Sequence, residues 1–140
     1  MHRLLRATVA RRAQFRCEYC QWPERFSELR FQLDHVIARK HRGRTDAANL
    51  AFACFRCNSH KGPNLAGIDP RTGALVRLFN PRADRWREHF AWHAARLRGR
   101  TAIGRATVAV LQINRPDAVL LRASLIGEGI SFAVPPPQDE

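Results

Sequence analysis

Two cysteine pairs of identical spacing constrain this chain more than any other feature of its sequence. Cys17 and Cys20 bound the segment CEYC, Cys54 and Cys57 bound CFRC, and these are the chain's four cysteines. Together they supply the four thiolates of a tetrahedral Zn²⁺ site. A disulfide framework is disfavoured because the N-terminus does not read as a secretory signal, and a redox dithiol because it does not need two matched pairs. We therefore predict a structural zinc ion that ties the N-terminal helix to the region around residue 54.

The charge balance indicates a polyanionic partner. The 140 residues contain 24 Lys and Arg against 12 Asp and Glu, a net charge of +12. Such an excess, mostly of arginine, is typical of proteins that bind nucleic acid, because guanidinium groups bind phosphate in a bidentate geometry. We predict DNA as the partner, with RNA left open and a merely solvated basic surface as the alternative. We expect no membrane partner and a bacterial cytoplasmic location, and the sequence indicates no oligomeric state.

Hydrophobic periodicity and turn residues predict an α+β fold in the first half of the chain. We expect a helix to about Phe15, a strand over residues 30–37 and a second short strand over residues 49–54. A short helix is expected from Asn58, ending by Gly62.

In the second half, turn residues 69–73 (DPRTG) predict a hairpin between residues 64–68 and 74–79. Residues 83–92 read as a short helix, followed by a helix capped by Thr101 and another with Pro116 in its first turn. We divide the chain into a domain over residues 1–95, a helical extension packed on it over residues 96–134, and a disordered tail over residues 135–140.

A group of polar residues lies between the cysteine pairs, in LDHVIARKHRGRTDAANLAFACFRCNSHKG, residues 33–62. Four cysteines complete a zinc site by themselves, so Asp34, His35 and Asn58 remain for separate chemistry. A histidine can take a proton from water near neutral pH, and carboxylate and amide oxygens suit Mg²⁺ or Mn²⁺. Each residue taken alone also has a purely structural explanation: Asp34 as a turn former, His35 as a half-buried ring, and Asn58 as a helix N-cap.

Taken together, this stretch resembles the HNH endonuclease family in its four-cysteine form, which ends in CxxCNxxKG. The resemblance covers about residues 16–62, where DH, the central Asn-Leu and the cysteine knuckle recur in that order. It implies a ββα-metal core stapled by the zinc site, with the later hairpin and helices appended. It also implies a metal-dependent nuclease that hydrolyses phosphodiester bonds in DNA, nicks one strand per site and leaves a 5′-phosphate and a 3′-hydroxyl.

The resemblance also implies roles for individual residues. His35 corresponds to the general base and Asp34 to a ligand of the catalytic Mg²⁺ or Mn²⁺. Asn49 corresponds to the central asparagine, which braces the loop between the two strands. Asn58 stands where the motif has its final histidine, so it would be the second metal ligand in an H-N-N form of the site.

Helical geometry bears on the choice between Asn58 and His60. Asn58 and Lys61 are three residues apart and share a helix face, whereas His60 is rotated about 200° from Asn58. We therefore predict Asn58 as the ligand and Lys61 as a phosphate contact, with His60 as an alternative ligand or nucleic-acid contact. Asp34 and His35 would point to opposite faces of a regular strand, so we expect the strand to end, curl or bulge there.

The loop after these residues is strongly basic. We predict that it contacts the nucleic-acid backbone without reading sequence, through Arg39, Lys40, His41, Arg42 and Arg44. Two functions from other classes remain as alternatives. One is a zinc-stabilised nucleic-acid-binding module without turnover, and the other is an interaction protein that uses its C-terminal helices.

Overall fold

A computed structural model describes residues 2–134 of the chain; the tail predicted over residues 135–140 lies outside them. The helices are α1 (His2–Arg12), α2 (Phe55–Lys61), α3 (Trp86–His89), α4 (Ala102–Val110) and α5 (Pro116–Gly127). The strands are β1 (Gln32–His35), β2 (Leu50–Ala53), β3 (Ala66–Ile68), β4 (Leu75–Arg77), β5 (Phe90–His93) and β6 (Arg96–Gly99). Within residues 2–134, no helix combines the length and apolar character needed to cross a membrane. The mixture of helices and small antiparallel strand pairs confirms the α+β class.

The first strand pair carries the polar segment of the sequence. β1 and β2 are antiparallel, with Asp34 opposite Ala51 and His35 opposite Leu50. β2 is buried along its whole length, because its residues Leu50–Ala53 are apolar and covered on both faces. The helix α2 follows β2 directly and begins at Phe55, three residues earlier than predicted, so it includes Cys57.

The N-terminal segment is joined to the free edge of β2. The Glu18 N–H donates to the Phe52 carbonyl oxygen at 2.8 Å, and the Phe52 N–H donates to Glu18 Oε2 at 2.7 Å. Arg82 pairs with the same carboxylate. The first cysteine pair thus lies against the strand that leads to the second pair, as the zinc hypothesis requires.

The middle and C-terminal parts agree with the sequence in two respects. β3 and β4 form the predicted hairpin around the Asp69 turn, and the Arg105 guanidinium of α4 binds both Asp69 carboxylate oxygens at 2.9 Å. The Thr101 hydroxyl accepts the Gly104 N–H, and Pro116 lies in the first turn of α5, so both C-terminal helices are confirmed.

The helix predicted over residues 83–92 is wrong in most of its length. Only Trp86–His89 is helical, and the chain then forms the antiparallel hairpin β5–β6, with His93 opposite Arg96. This hairpin spans the boundary that we placed at residue 95, since residues 96–99 pair with residues 90–93.

One continuous core connects these pieces. α1 contributes Val9, and the strand pair contributes Leu50 and Phe52, all fully buried. An aromatic cluster extends from the first cysteine pair to the β5–β6 hairpin through edge and tilted ring contacts; it contains Tyr19, Trp22, Phe79, Trp86, Phe90, Trp92 and Phe132. The two cysteine pairs and the C-terminal half therefore share one interior.

Candidate active site and metal centre

The four cysteines come together as the sequence predicted. Their Sγ atoms all lie within 4.8 Å of one another, and Cys20 Sγ is 3.8 Å from Cys54 Sγ. A zinc ion bound to four thiolates at about 2.3 Å needs sulfurs roughly 3.8 Å apart, so the cluster fits Zn²⁺. Burial raises the pKa of the Cys17 thiol, and a bound cation offsets that cost by favouring the thiolate.

Asn49 braces the loop between β1 and β2. Its Oδ1 accepts the Ile37 N–H at 2.9 Å, and its Nδ2 donates to the carbonyl oxygens of Ile37 at 3.0 Å and Arg44 at 2.9 Å. Gly43 makes this close approach feasible, because a Cβ there would lie 1.6 Å from the Ile37 carbonyl oxygen. Asn49 therefore links the residues after β1 to the far end of the same loop.

His35 lies at the end of β1, where the loop begins. Its ring is partly buried, and its Nε2 is hydrogen-bonded to Thr45 Oγ1 at 2.8 Å. Asn49 holds the carbonyl of Arg44, and Thr45 is the next residue. The hydrogen bonds of Asn49 that fix the loop therefore also fix Thr45, the partner of His35. Thr45 was not among the predicted site residues; only its position between the basic run and Asn49 could have suggested it.

Asp34 points the other way, into the protein. Its side chain is 4% exposed; Oδ2 accepts the Tyr19 hydroxyl at 2.6 Å, and Oδ1 lies 3.3 Å from Lys61 Nζ. Burial raises the pKa of the Asp34 carboxyl, and Lys61 and the Tyr19 hydroxyl act in the opposite direction. The break that we expected at Asp34 and His35 comes at Val36 instead. β1 keeps a regular register through His35 and bends only at Val36. The side chains of Asp34 and His35 therefore point to opposite faces of β1.

Lys61 is the buried counterpart of Asp34. Its side chain is 2% exposed, and Nζ also donates to the carbonyl oxygens of His35 at 3.1 Å and Val36 at 3.2 Å. In this conformation three protein oxygens enclose the ammonium, so it does not face solvent, and the phosphate contact remains a prediction. Lys61 attaches the last turn of α2 to the end of β1.

The family model for HNH endonucleases matches residues 17–64, from the first cysteine of the cluster to three residues beyond α2. Residues 17–64 are thus the part of the chain that is similar to HNH endonucleases, and we refer to them as the HNH domain. The predicted resemblance is thereby confirmed, and the four-cysteine cluster agrees with the zinc-stapled form. Neither the comparison with curated proteins nor that with solved structures found a match.

Within the HNH domain, the predicted catalytic metal ligands are not arranged for a divalent ion. Both Asp34 oxygens have hydrogen-bond partners, and the Lys61 ammonium lies where a cation would approach Oδ1. The Asn58 side chain is half-buried and makes no hydrogen bond to residues 2–134, so it alone of the pair is free to bind a ligand. Mg²⁺ or Mn²⁺ on Asp34 and Asn58 together does not fit this conformation.

The remaining predicted contacts lie around the loop of the HNH domain. Four of the basic side chains, Arg39, Lys40, His41 and Arg42, are exposed and bind no acid among residues 2–134. Arg44 is exposed as well, but its Nε binds Asp46 at 3.1 Å. His60 is half-buried on α2, and within the described residues no hydrogen bond links it to His35. The loop therefore presents positive charge next to His35.

Proposed function

We propose that this chain is an HNH endonuclease that hydrolyses phosphodiester bonds in DNA, with His35 as the general base. The observation that carries the proposal is the placement of His35 at a strand end inside an HNH domain, with its ring held by Thr45 and its loop braced by Asn49. A general base must be held within hydrogen-bond reach of the proton it takes, and here the phosphodiester must be held beside it. The exposed basic loop supplies the second requirement.

The hydrogen bond to Thr45 engages Nε2 and leaves Nδ1 as the ring nitrogen available for catalysis. If His35 Nε2–H donates to Thr45 Oγ1, Nδ1 keeps its lone pair and accepts the proton of the attacking water. The water then attacks phosphorus, and the leaving 3′-oxygen takes a proton from solvent, so the products carry a 5′-phosphate and a 3′-hydroxyl. One such site cuts one strand.

The HNH resemblance implies Mg²⁺ or Mn²⁺, which would stabilise negative charge on the phosphate and the leaving oxygen. Because Asp34 is engaged by Tyr19 and Lys61, we assign that ion no ligand on Asp34 in the present fold. The ββα-metal core, formed by β1, β2 and α2, and the cytoplasmic location belong to the same proposal.

A plasmid-relaxation assay tests the proposal. Purified protein is incubated with supercoiled plasmid in Mg²⁺, Mn²⁺ or EDTA, and His35→Ala is assayed beside it. We expect nicked circles with the parent protein, a loss of about 10²-fold or more with His35→Ala, and a loss in EDTA. Zinc content and circular dichroism of each sample show that the scaffold is intact. Nicking that survives His35→Ala in a folded, zinc-loaded sample would overturn the assignment.

One observation favours a second function, a zinc-stabilised nucleic-acid-binding module without turnover. The closed Asp34–Lys61–Tyr19 arrangement leaves the predicted divalent-ion site without its carboxylate. That function predicts salt-sensitive binding to DNA and no nicking in any of the three conditions.

A further inference from the structure

The hairpin β5–β6 has an inward and an outward face. Its register pairs Trp92 with Leu97 and His93 with Arg96. Directly paired residues point to the same side of a strand pair, so Trp92 and Leu97 face inward, and His93, Arg96 and Arg98 face outward. Leu97 is buried, whereas the three outward side chains are exposed. We call the outward face, His93, Arg96 and Arg98, the basic ribbon.

The charges of the basic ribbon are not neutralised within the described part of the chain. In contrast to the ribbon, four arginines after the HNH domain bind carboxylates: Arg77, Arg82, Arg105 and Arg115. Between residues 2 and 134, the guanidinium groups of Arg96 and Arg98 have neither an acidic partner nor a hydrogen-bond acceptor. Residues 85–100 contain five arginines and one acid, Glu88. A polyanion relieves the repulsion among such like charges.

The inward face holds the basic ribbon rigidly. The Leu97 N–H donates to Asn114 Oδ1 at 2.8 Å, and Asn114 Nδ2 donates to the Leu97 carbonyl oxygen at 2.7 Å, so Asn114 covers the edge of β6. Arg122 is buried; its Nε donates to the Ala95 carbonyl oxygen at 2.7 Å, and its guanidinium stacks over Trp92 at 5.0 Å. A fixed platform loses less conformational freedom on binding than a mobile loop does.

We infer that the basic ribbon binds the phosphate backbone of duplex DNA, as a second contact outside the HNH domain. The inference rests on the proposed function, since it extends the surface that holds the same substrate. Arginine binds phosphate oxygens in a bidentate manner, and Arg96 and Arg98 both lie on the outward face of the ribbon. Contacts of this kind position the duplex and read no sequence.

The salt dependence of binding tests this inference. Arg96→Gln/Arg98→Gln is compared with Arg56→Gln/Arg77→Gln in a His35→Ala background that prevents cutting. The control removes the same net charge from two side chains that are also exposed, by 51% and 53%, but are paired with acids. Binding to a labelled duplex of about 30 base pairs is followed by fluorescence anisotropy from about 50 to 200 mM KCl.

We expect the ribbon variant to lose about two units from the slope of log K against log salt, and to bind about tenfold or more weakly near 0.1 M salt. The control should keep the parent slope. Equal losses in both variants, an unchanged slope in the ribbon variant, or stronger competition by single-stranded RNA than by duplex DNA would overturn the inference.

Plasmid nicking by protein that retains His35 is measured in parallel, with and without the ribbon substitutions. Nicking with no effect of the ribbon variant refutes the inference alone, whereas absence of both binding and nicking refutes the proposed function as well.

Discussion

Replacing Lys61 by methionine should destabilise the protein strongly. Lys61 Nζ lies within 3.3 Å of three oxygens, Asp34 Oδ1 and the carbonyls of His35 and Val36, and its side chain is 2% exposed. Methionine preserves most of the aliphatic stem but leaves a buried carboxylate with Tyr19 as its one remaining partner. Removing one member of a buried ion pair costs about 3 to 5 kcal/mol. We expect a loss of that size in the free energy of unfolding.

Urea unfolding of zinc-loaded protein measures the loss, with Arg56→Gln as the control. Arg56 pairs with Asp117 at 2.9 Å, but the two side chains are 51% and 49% exposed, so its removal should cost less than about 1 kcal/mol. The double variant Lys61→Met/Asp34→Asn should recover about 1 kcal/mol or more relative to the sum of the single losses. A Lys61→Met loss no larger than the control, or strict additivity, would refute the structural role assigned to the pair.

The same pair predicts a direction of pH dependence. Burial raises the pKa of Asp34 and Lys61 opposes that rise, so removing the ammonium raises the pKa further. A carboxyl whose pKa is raised on folding contributes stability that is present below its unfolded value of about 3.9 and is lost as the pH rises through the folded value. The deficit of Lys61→Met should therefore grow as the pH rises above that unfolded value. A deficit that shrinks over this range would contradict the assignment.

Three further predictions follow from local geometry. Cys57→Ser should reduce the zinc content measured by atomic absorption and lower the unfolding temperature, because three thiolates hold the ion less tightly than four. Asn49→Ala removes three hydrogen bonds and should cost about 2 kcal/mol; the Ile37 amide should lose its hydrogen-exchange protection, and retained protection would contradict the brace. Gly104→Ala places a Cβ 2.0 Å from the His89 carbonyl oxygen, so thermal unfolding should show a loss of about 1 to 3 kcal/mol despite the better helix propensity of alanine.

Features carried by local motifs were predictable from the sequence. The matched spacing of the cysteines predicts the cluster because two thiolates three residues apart on a knuckle can bind one ion. Thr101 and Pro116 predict two helix starts, since each satisfies a requirement of the first turn.

The β5–β6 hairpin could not be predicted in the same way. Its strands are joined by Ala94 and Ala95, and Ala94 adopts a φ of 51°, a conformation that glycine or asparagine would have signalled. Alanine at these positions instead favours the prediction of a helix. The burial of Lys61 was also beyond the sequence, because helical spacing places it on the face of Asn58 but does not say whether that face meets solvent or β1.

The zinc cluster and the candidate catalytic residues are mechanically connected. Tyr19, inside the first cysteine pair, donates its hydroxyl to Asp34, and α2 carries Cys57 and Lys61 one turn apart. Lys61 in turn holds the carbonyl of His35. Loss of zinc therefore releases both the Tyr19 loop and α2 from the end of β1, where His35 lies. A zinc ion at the cysteine cluster would thus hold His35, the base of the proposed function, in place without taking part in bond cleavage, so we expect nicking to decline in step with zinc content and not only with global unfolding.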